Sequence, residues 1–447
     1  VAQDINTIQK ILACESNVRR IITQQEQDGV EFDVRQGNWY VHVLEERKIR
    51  LYEQIRPCLS LEVIEPYSVP IRKPFLKDGS YSKSVHQWYD GEIPDVCGMF
   101  TRVTFAEPSL GSRKKLQAQL LRLGWKPRSF TEKGNPKLTI KGEVCPSLYE
   151  IVDTVGKDIA DWYVYNHRQS QIKGWLRRVR PDHRLPAEAI TIGTPTFRFT
   201  HKIVVNVPKA SKKVVFGREM RSLFTAYVNE VLVGHDASGL ELRMLAHYMN
   251  DSSYIQLVLN GNIHEVNQKA AGLPTYDSAK TFIYAFLYGA GNPLIGALIG
   301  GTATDGGRIK RSFLAKTPAL ASLIKRVQAA AARGFLVGLD GRKITLRRDQ
   351  YGKIQLHKAL NTLLQTAGAV VMKYSMIFLD DWIHEEGLRS TKVIDMHDEG
   401  QYSVHPDDVQ RHKELAVLSI VRAGEYLNLR IPLDGEAKAG KNWAQTH

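Results

Sequence analysis

The sequence predicts an α+β chain organised in more than one domain, on three observations. Its 447 residues exceed what one compact core usually holds. Long stretches repeat their apolar residues with the 3.6-residue period of amphipathic helices. The C-terminal half sets a short apolar strand and an apolar hairpin among those helices. Hydrophobic residues make up 43% and charged residues 24%, which fits a folded protein and excludes a disordered one. Lysine and arginine number 61 against 47 acidic residues, a formal charge of +14 that favours a polyanionic partner, nucleic acid before an anionic membrane surface. No apolar run is expected to span a membrane, and the start, VAQDINTIQK, lacks the pattern of a secretory signal. The first residue is Val1, so further sequence upstream is expected. Cys14, Cys58, Cys97 and Cys145 form no C-x-x-C pair, which argues for reduced thiols in a cytoplasm over a zinc site or disulfide framework.

In chain order, Asn6 to Gln27 is helical in pattern and stops at Gly29. A second helix runs from Val41 to Arg56. From 57 to 112, prolines, glycines and aromatics cluster, and the stretch reads as an insertion of loops and short strands. Helical periodicity resumes after Ser112, a suitable N-cap. Another helix covers about 147 to 176 and leads into the basic run GWLRRVRPDHR. Tyr227 to His235 is a strand that breaks at Asp236 into the amphipathic helix GLELRMLAHYM. A helix from near Pro274 ends at Gly289 and Gly291. The alanine-rich helix after Thr317 and Pro318 closes at Gly334. A long helix from Ala359 to about His384 precedes the hairpin TKVIDMHDEGQYSVH, and a last helix spans about 407 to 427.

Three constellations can carry chemistry. Asp236 ends an apolar strand before a helix, where a carboxylate either caps that helix or faces a cleft and serves a hard cation. His397, Asp398 and Glu399 sit at the turn of the hairpin, as solvated turn residues or as the second half of a metal pair. Lys280, Tyr284 and Tyr288 fall at i, i+4 and i+8, so they share one helix face. Aromatics at that spacing are more often core, but a lysine on the same stripe is uncomfortable there. An ammonium and two phenols in series suit a phosphate, a sugar and a base, and His264 lies shortly upstream.

DASGLELRMLAH, KTFIYAFLYGAG, LNTLLQTAGA and MHDE occur in that order. Together they resemble the A, B and C motifs of family A DNA polymerases and the helix between B and C. GLDGRK, GREMRSLF, SRKKLQAQLLRLGWKP and PLDGEAKAGKNWAQTH extend the likeness, which is strongest to the replicative enzymes of T-odd-type short-tailed phages. The resemblance implies a right-hand polymerase fold with thumb, palm (antiparallel sheet) and helical fingers. Residues 1–185 would be thumb and its connection to the palm, 186–252 the first palm part, 253–358 fingers and 359–447 the second palm part. It implies DNA-directed DNA polymerase activity with two Mg²⁺ ions held by Asp236, Asp398 and the Ala237 carbonyl. Lys280 and His264 would bind the incoming dNTP, Tyr284 would face its sugar, Glu241 would exclude a ribose 2′-hydroxyl, and Tyr288 would stack near the template base. Arg198, Asn206, Arg221, Asn361, Gln365 and His397 would touch the primer–template, with Glu399 beside them.

Departures from the family pattern are informative. Tyr276 stands where a phosphate-clamping arginine is usual, four residues before Lys280. TFRFTHKIVVNVPK keeps Arg198 but lacks the glycine that usually precedes it, and is short before Asn206. The early D-x-E, Asp90-Gly91-Glu92, lies in an irregular stretch, so no 3′–5′ exonuclease is expected in this chain; a separate exonuclease or helicase-primase would supply other replication steps. The 57–112 thumb insertion would be either the place for a processivity factor or a structural hairpin of the thumb. Two rivals remain: a single-subunit RNA polymerase, opposed by Glu241, and an inactive nucleic-acid-binding relative, opposed by the joint presence of Asp236, Asp398 and Lys280.

Overall fold

Asp4 accepts hydrogen bonds from the Asn6 and Thr7 amides and starts helix α1 (Ile5–Asp28), which ends where Gly29 turns left-handed and its N–H donates to the Gln25 carbonyl. A computed structural model describes residues 4–446 apart from 65–68, 90, 91, 94, 132, 133, 141, 142, 152–154, 213 and 262. Asp90 and Gly91 of the D-x-E thus lie outside the described residues. The chain divides into two compact units, Val1–Val43 with Arg168–His447, and Leu44–His167. The divisions fall inside the helices Val34–Ile55 and Val155–Leu176.

The smaller unit buries Leu116, Leu120, Trp125, Leu148 and Ile159 in its own core. The helix expected after Ser112 is present as Arg113–Arg122, although Ser112 makes no side-chain capping bond. The 57–112 stretch holds short elements: strands Glu62–Ile64 and Thr104–Ala106, paired antiparallel, and the helix Lys83–Trp88.

In the larger unit, strand β1 (Val231–Ala237) is followed by helices α2 (Leu240–Met249), α3 (Ile263–Ala271) and α4 (Tyr276–Leu287). Later come the long helix α5 (Ala359–Glu385), strands β2 (Ser390–Met396) and β3 (Glu399–Val404), helix α6 (Val409–Tyr426) and strand β4 (Gly435–Gly440). The sheet is antiparallel throughout, in the order β2-β3-β1-β4. Its register pairs Asp236 with Glu399 on one side and with Glu436 on the other. Leu232 to His235 are buried in succession because both faces of β1 are covered. Val233, Tyr402 and Val404 pack against Leu379 and Ile383 of α5 and Leu415 and Ala416 of α6.

The helical stretch Leu356–Glu385 is long and apolar enough to cross a membrane by length and composition, which corrects the expectation that no run is. Its most apolar window is 67% buried inside the protein, so core packing accounts for its hydropathy. All four cysteines are free, Cys14 and Cys145 buried, Cys58 and Cys97 exposed.

Two imidazoles buried with the sheet make a pH prediction. Burial, and then the positive charge of Lys392, pushes His235 down to about 3 and His412 to about 4. Both stay neutral in the fold, whereas the unfolded chain protonates them near pH 6.5. Below that pH the unfolded state therefore binds more protons. Stability is full above about pH 6.5 and is lost as pH falls towards 4, by about 2 kcal/mol per histidine at pH 5. Thermal melting at pH 7.5 and pH 5 checks this; an unchanged melting temperature would contradict it.

Candidate active site

Two adjacent strands bring the expected carboxylates to one end of the sheet. Asp236 is the penultimate residue of β1, and Asp398 is the second residue of the two-residue turn between β2 and β3. The Ala237 N–H donates to the Asp398 carbonyl at 3.3 Å, tying strand to turn beside both carboxylates. His397, the first turn residue, has φ 62, and Asp398 is not left-handed, the sign pattern of a type II′ turn. Glycine is the usual residue at that position, so His397 sits there at a conformational cost, as residues at functional sites often do. After β1, Gly239 with φ 59 turns the chain into α2 and brings Glu241 round in its first turn.

Asp236, Ala237 and Asp398 line one cleft of about 510 Å³. Among the described residues no group of three or more His, Cys, Asp or Glu is placed to hold a metal. A pair of carboxylates at an open cleft is poor for a transition metal but fits Mg²⁺, which keeps water and takes phosphate oxygens for its remaining positions. These residues therefore fit the magnesium that the motifs imply.

Helix α4 forms the facing wall. Thr275 caps it, receiving the Ser278 amide and returning a bond through the Ser278 hydroxyl. Lys280, Tyr284 and Tyr288 all line the cleft, as their spacing requires. The Tyr288 hydroxyl donates to both Glu241 oxygens, at 2.9 and 2.8 Å, and Arg198 Nη2 donates to Glu241 Oε1 at 3.3 Å. Glu241 is thus held from two sides. Burial, then the Glu241 charge, pushes the Tyr288 phenol up; burial followed by the charges of Glu241 and Asp398 does the same to Tyr284.

The remaining expected residues occupy several environments. His264 is buried beside α4, its ring 5.3 Å from that of Tyr276 and 6.3 Å from that of Tyr284; burial and the Lys280 charge push its imidazole down. Tyr276 itself is exposed at the start of α4. His397 is at the cleft, with desolvation and the nearby His201 and Arg198 lowering its pKa. Asn361 and Gln365 begin a stripe on α5 that continues at i+7, i+11 and i+15 through Gly368, Met372 and Met376, all three of which line the cleft. Asn206 is exposed with φ 52, its carbonyl 3.5 Å from Gln171 Nε2, away from the cleft lining.

Arg221 is buried beside the sheet. Its side chain is 4% exposed, lies 4.3 Å over the Trp443 ring, donates from Nε to the Pro208 carbonyl at 3.0 Å and comes within 3.6 Å of Glu399. Glu399 is equally buried, accepting from Gln401 at 2.7 Å and from the Trp443 indole. Arg221 and Glu399 thus form an internal pair beside the sheet. Sequence reasoning also missed Lys209, Lys373 and Asp395, which line the cleft. Asp395 pairs with Lys392 at 3.3 Å and His201 at 3.8 Å. A charge at i+3 from Lys392 within an apolar strand was its only signal.

A family model described as DNA polymerase family A matches residues 86–445. The DNA-directed DNA polymerase of Escherichia phage Phieco32 is 32% identical, over 97% of this chain and 98% of that protein. That of Escherichia phage T7 is 35% identical, over 75% of this chain and 52% of that protein. The chain thus spans nearly all of the first relative and about half of the second. Among solved structures, the POL domain of Pol1 from M. smegmatis, in complex with DNA primer-template and dNTP, aligns with a TM-score of 0.76 over 97% of this chain and 70% of that one. At 18% identity this is a likeness of fold.

Proposed function

The chain belongs to DNA polymerase family A, and from that premise we propose that it adds deoxynucleoside monophosphates to a primer 3′-hydroxyl under template direction, in phage DNA replication within a bacterial cytoplasm. The observation that carries this reading is the convergence of Asp236 and Asp398 on the cleft that Lys280, Tyr284 and Glu241 also line. Asp236 and Asp398 would hold the two Mg²⁺ ions, with Ala237 beside them. Magnesium, when bound, supplies the Lewis acidity that lowers the pKa of the 3′-hydroxyl and offsets triphosphate charge.

The protein's own groups do the rest. Lys280 holds the triphosphate and can donate a proton to the departing pyrophosphate, with Tyr276 one turn before it on α4 and His264 on the neighbouring α3. Tyr284 faces the sugar and Tyr288 the template base. Arg198, Asn361, Gln365 and His397 meet the primer–template. Such donors can read minor-groove acceptors shared by all base pairs, which tests pair shape without choosing sequence. In this assignment residues 1–185 supply the thumb, 186–252 and 359–447 the palm and 253–358 the fingers, and the 57–112 insertion seats a processivity factor.

Glu241, fixed by Arg198 and Tyr288, leaves no room for a 2′-hydroxyl. Glu241→Ala should raise relative ribonucleotide use at least tenfold, roughly the 1–3 kcal/mol of one steric contact. Primer extension with dNTPs and NTPs in parallel measures it. Equal use of both by the wild-type chain would instead favour an RNA polymerase.

A further inference from the structure

Arg198 reaches the cleft from a segment with unusual backbone. Phe197, just before it, has φ 58, a left-handed conformation that glycine adopts freely and an aromatic residue adopts at a cost. Local hydrogen bonds shape the turn: the Phe197 N–H donates to the Thr194 carbonyl at 3.0 Å, and the Thr194 hydroxyl donates to the Arg198 carbonyl at 3.1 Å. Neither bond calls for a ring at position 197. What the ring meets is a pair of buried cations. The Arg342 guanidinium lies 4.6 Å from its centroid and the Lys373 ammonium 6.0 Å; Phe199, on the other side of Arg198, is 5.4 Å from the same ammonium.

Both cations are 1% exposed and are themselves fixed. Lys373 donates to the two Glu15 oxygens at 2.8 and 2.7 Å and to the Thr191 carbonyl at 2.9 Å. Arg342 donates to Glu15 at 2.7 Å and to Asp340 at 2.7 to 3.0 Å. A cation that cannot move and is shielded from water attracts a π face strongly.

We propose that Phe197 is a positioning residue: its ring, seated on the buried Arg342 and Lys373, holds the left-handed turn that aims Arg198 at Glu241 and so shapes the sugar pocket. The residue that departs from the usual glycine supplies an anchor that glycine lacks. The inference rests on the sugar-gating reading of Glu241 and Arg198. Without a firmly aimed Arg198, Glu241 is hinged on the Tyr288 hydroxyl alone and can swing off the sugar.

Phe197→Gly tests it, because glycine tolerates φ 58 and only the ring is lost. Single-nucleotide extension with a dNTP and its NTP counterpart is measured for wild type, Phe197→Gly, Phe197→Tyr, Arg198→Ala and the Gly/Ala double variant, with melting temperatures alongside. Selectivity for the deoxy sugar should fall about tenfold in Phe197→Gly, the weight of one charge-assisted hydrogen bond. It should fall at least as far in Arg198→Ala and no further in the double variant. Phe197→Tyr should keep it. Unchanged selectivity in Phe197→Gly beside an impaired Arg198→Ala overturns the inference, whether or not the melting temperature drops. So do losses that multiply in the double variant. Unchanged selectivity in Arg198→Ala overturns the gating reading, and the positioning role with it.

Discussion

Asp236→Asn should lower primer extension on the order of a thousandfold or more while leaving the fold and DNA affinity close to wild type. The amide keeps the shape of the carboxylate but removes the charge a hard cation needs, and one metal ligand is worth several kcal/mol of transition-state stabilisation. The substitution is mild for the fold. In the sheet Asp236 stands directly opposite Glu399 and Glu436, and asparagine keeps its size and a hydrogen-bonding oxygen there. The Ala237-to-Asp398 backbone bond beside it does not involve the side chain. Single-turnover extension in Mg²⁺, paired with thermal melting, reads both halves. Extension within tenfold of wild type would remove Asp236 from the metal site; a large drop in melting temperature would make the activity loss uninformative about chemistry and contradict the structural half of the prediction.

The largest effect on stability is expected at Lys373→Met. Lys373 joins α5 to α1 through Glu15, across 358 residues of sequence, and both groups are buried. Methionine matches the stem but abandons the Glu15 carboxylate to Arg342 alone, which Asp340 already engages. The Thr191 carbonyl also loses its donor. Breaking one side of a buried ion pair costs about 3–5 kcal/mol, far more than a surface pair is worth. The midpoint of urea unfolding should fall with the slope unchanged. A midpoint shift equivalent to less than about 1 kcal/mol would mean that water or Arg342 compensates Glu15 fully.

Much of the site is legible in the sequence because its signals are local. Lys280, Tyr284 and Tyr288 announce a shared face by spacing alone, and that face does line the cleft. Asp398 is marked by the hairpin around it, Asp236 by the end of an apolar strand. What stays hidden is non-local. Strand β4, GEAKAG, alternates only glycine and alanine with charged residues and holds no β-branched or aromatic side chain, so its strand signal is weak, yet it pairs with β1 along its length. The Glu15, Arg342 and Lys373 cluster joins residues that no periodicity relates. The second helix begins at Val34 and not Val41, running through Gly37, where an added Cβ would meet the Phe32 ring at 3.1 Å; close packing, not propensity, favours glycine there. Arg221 looks in sequence like an exposed basic residue, and its burial over Trp443 has no local signal. The missing glycine before Arg198 is visible as a departure, but its meaning depends on the left-handed backbone at Phe197.

The central claim is that the Asp236–Asp398 cleft performs templated DNA synthesis. One measurement addresses it most directly: extension of a primer on templates that differ only in the next base, with each dNTP offered singly in Mg²⁺. The account predicts rapid addition of the complementary deoxynucleotide alone, lost in EDTA and in Asp398→Asn. Addition independent of the template base, or equal extension by wild type and Asp398→Asn, would contradict it.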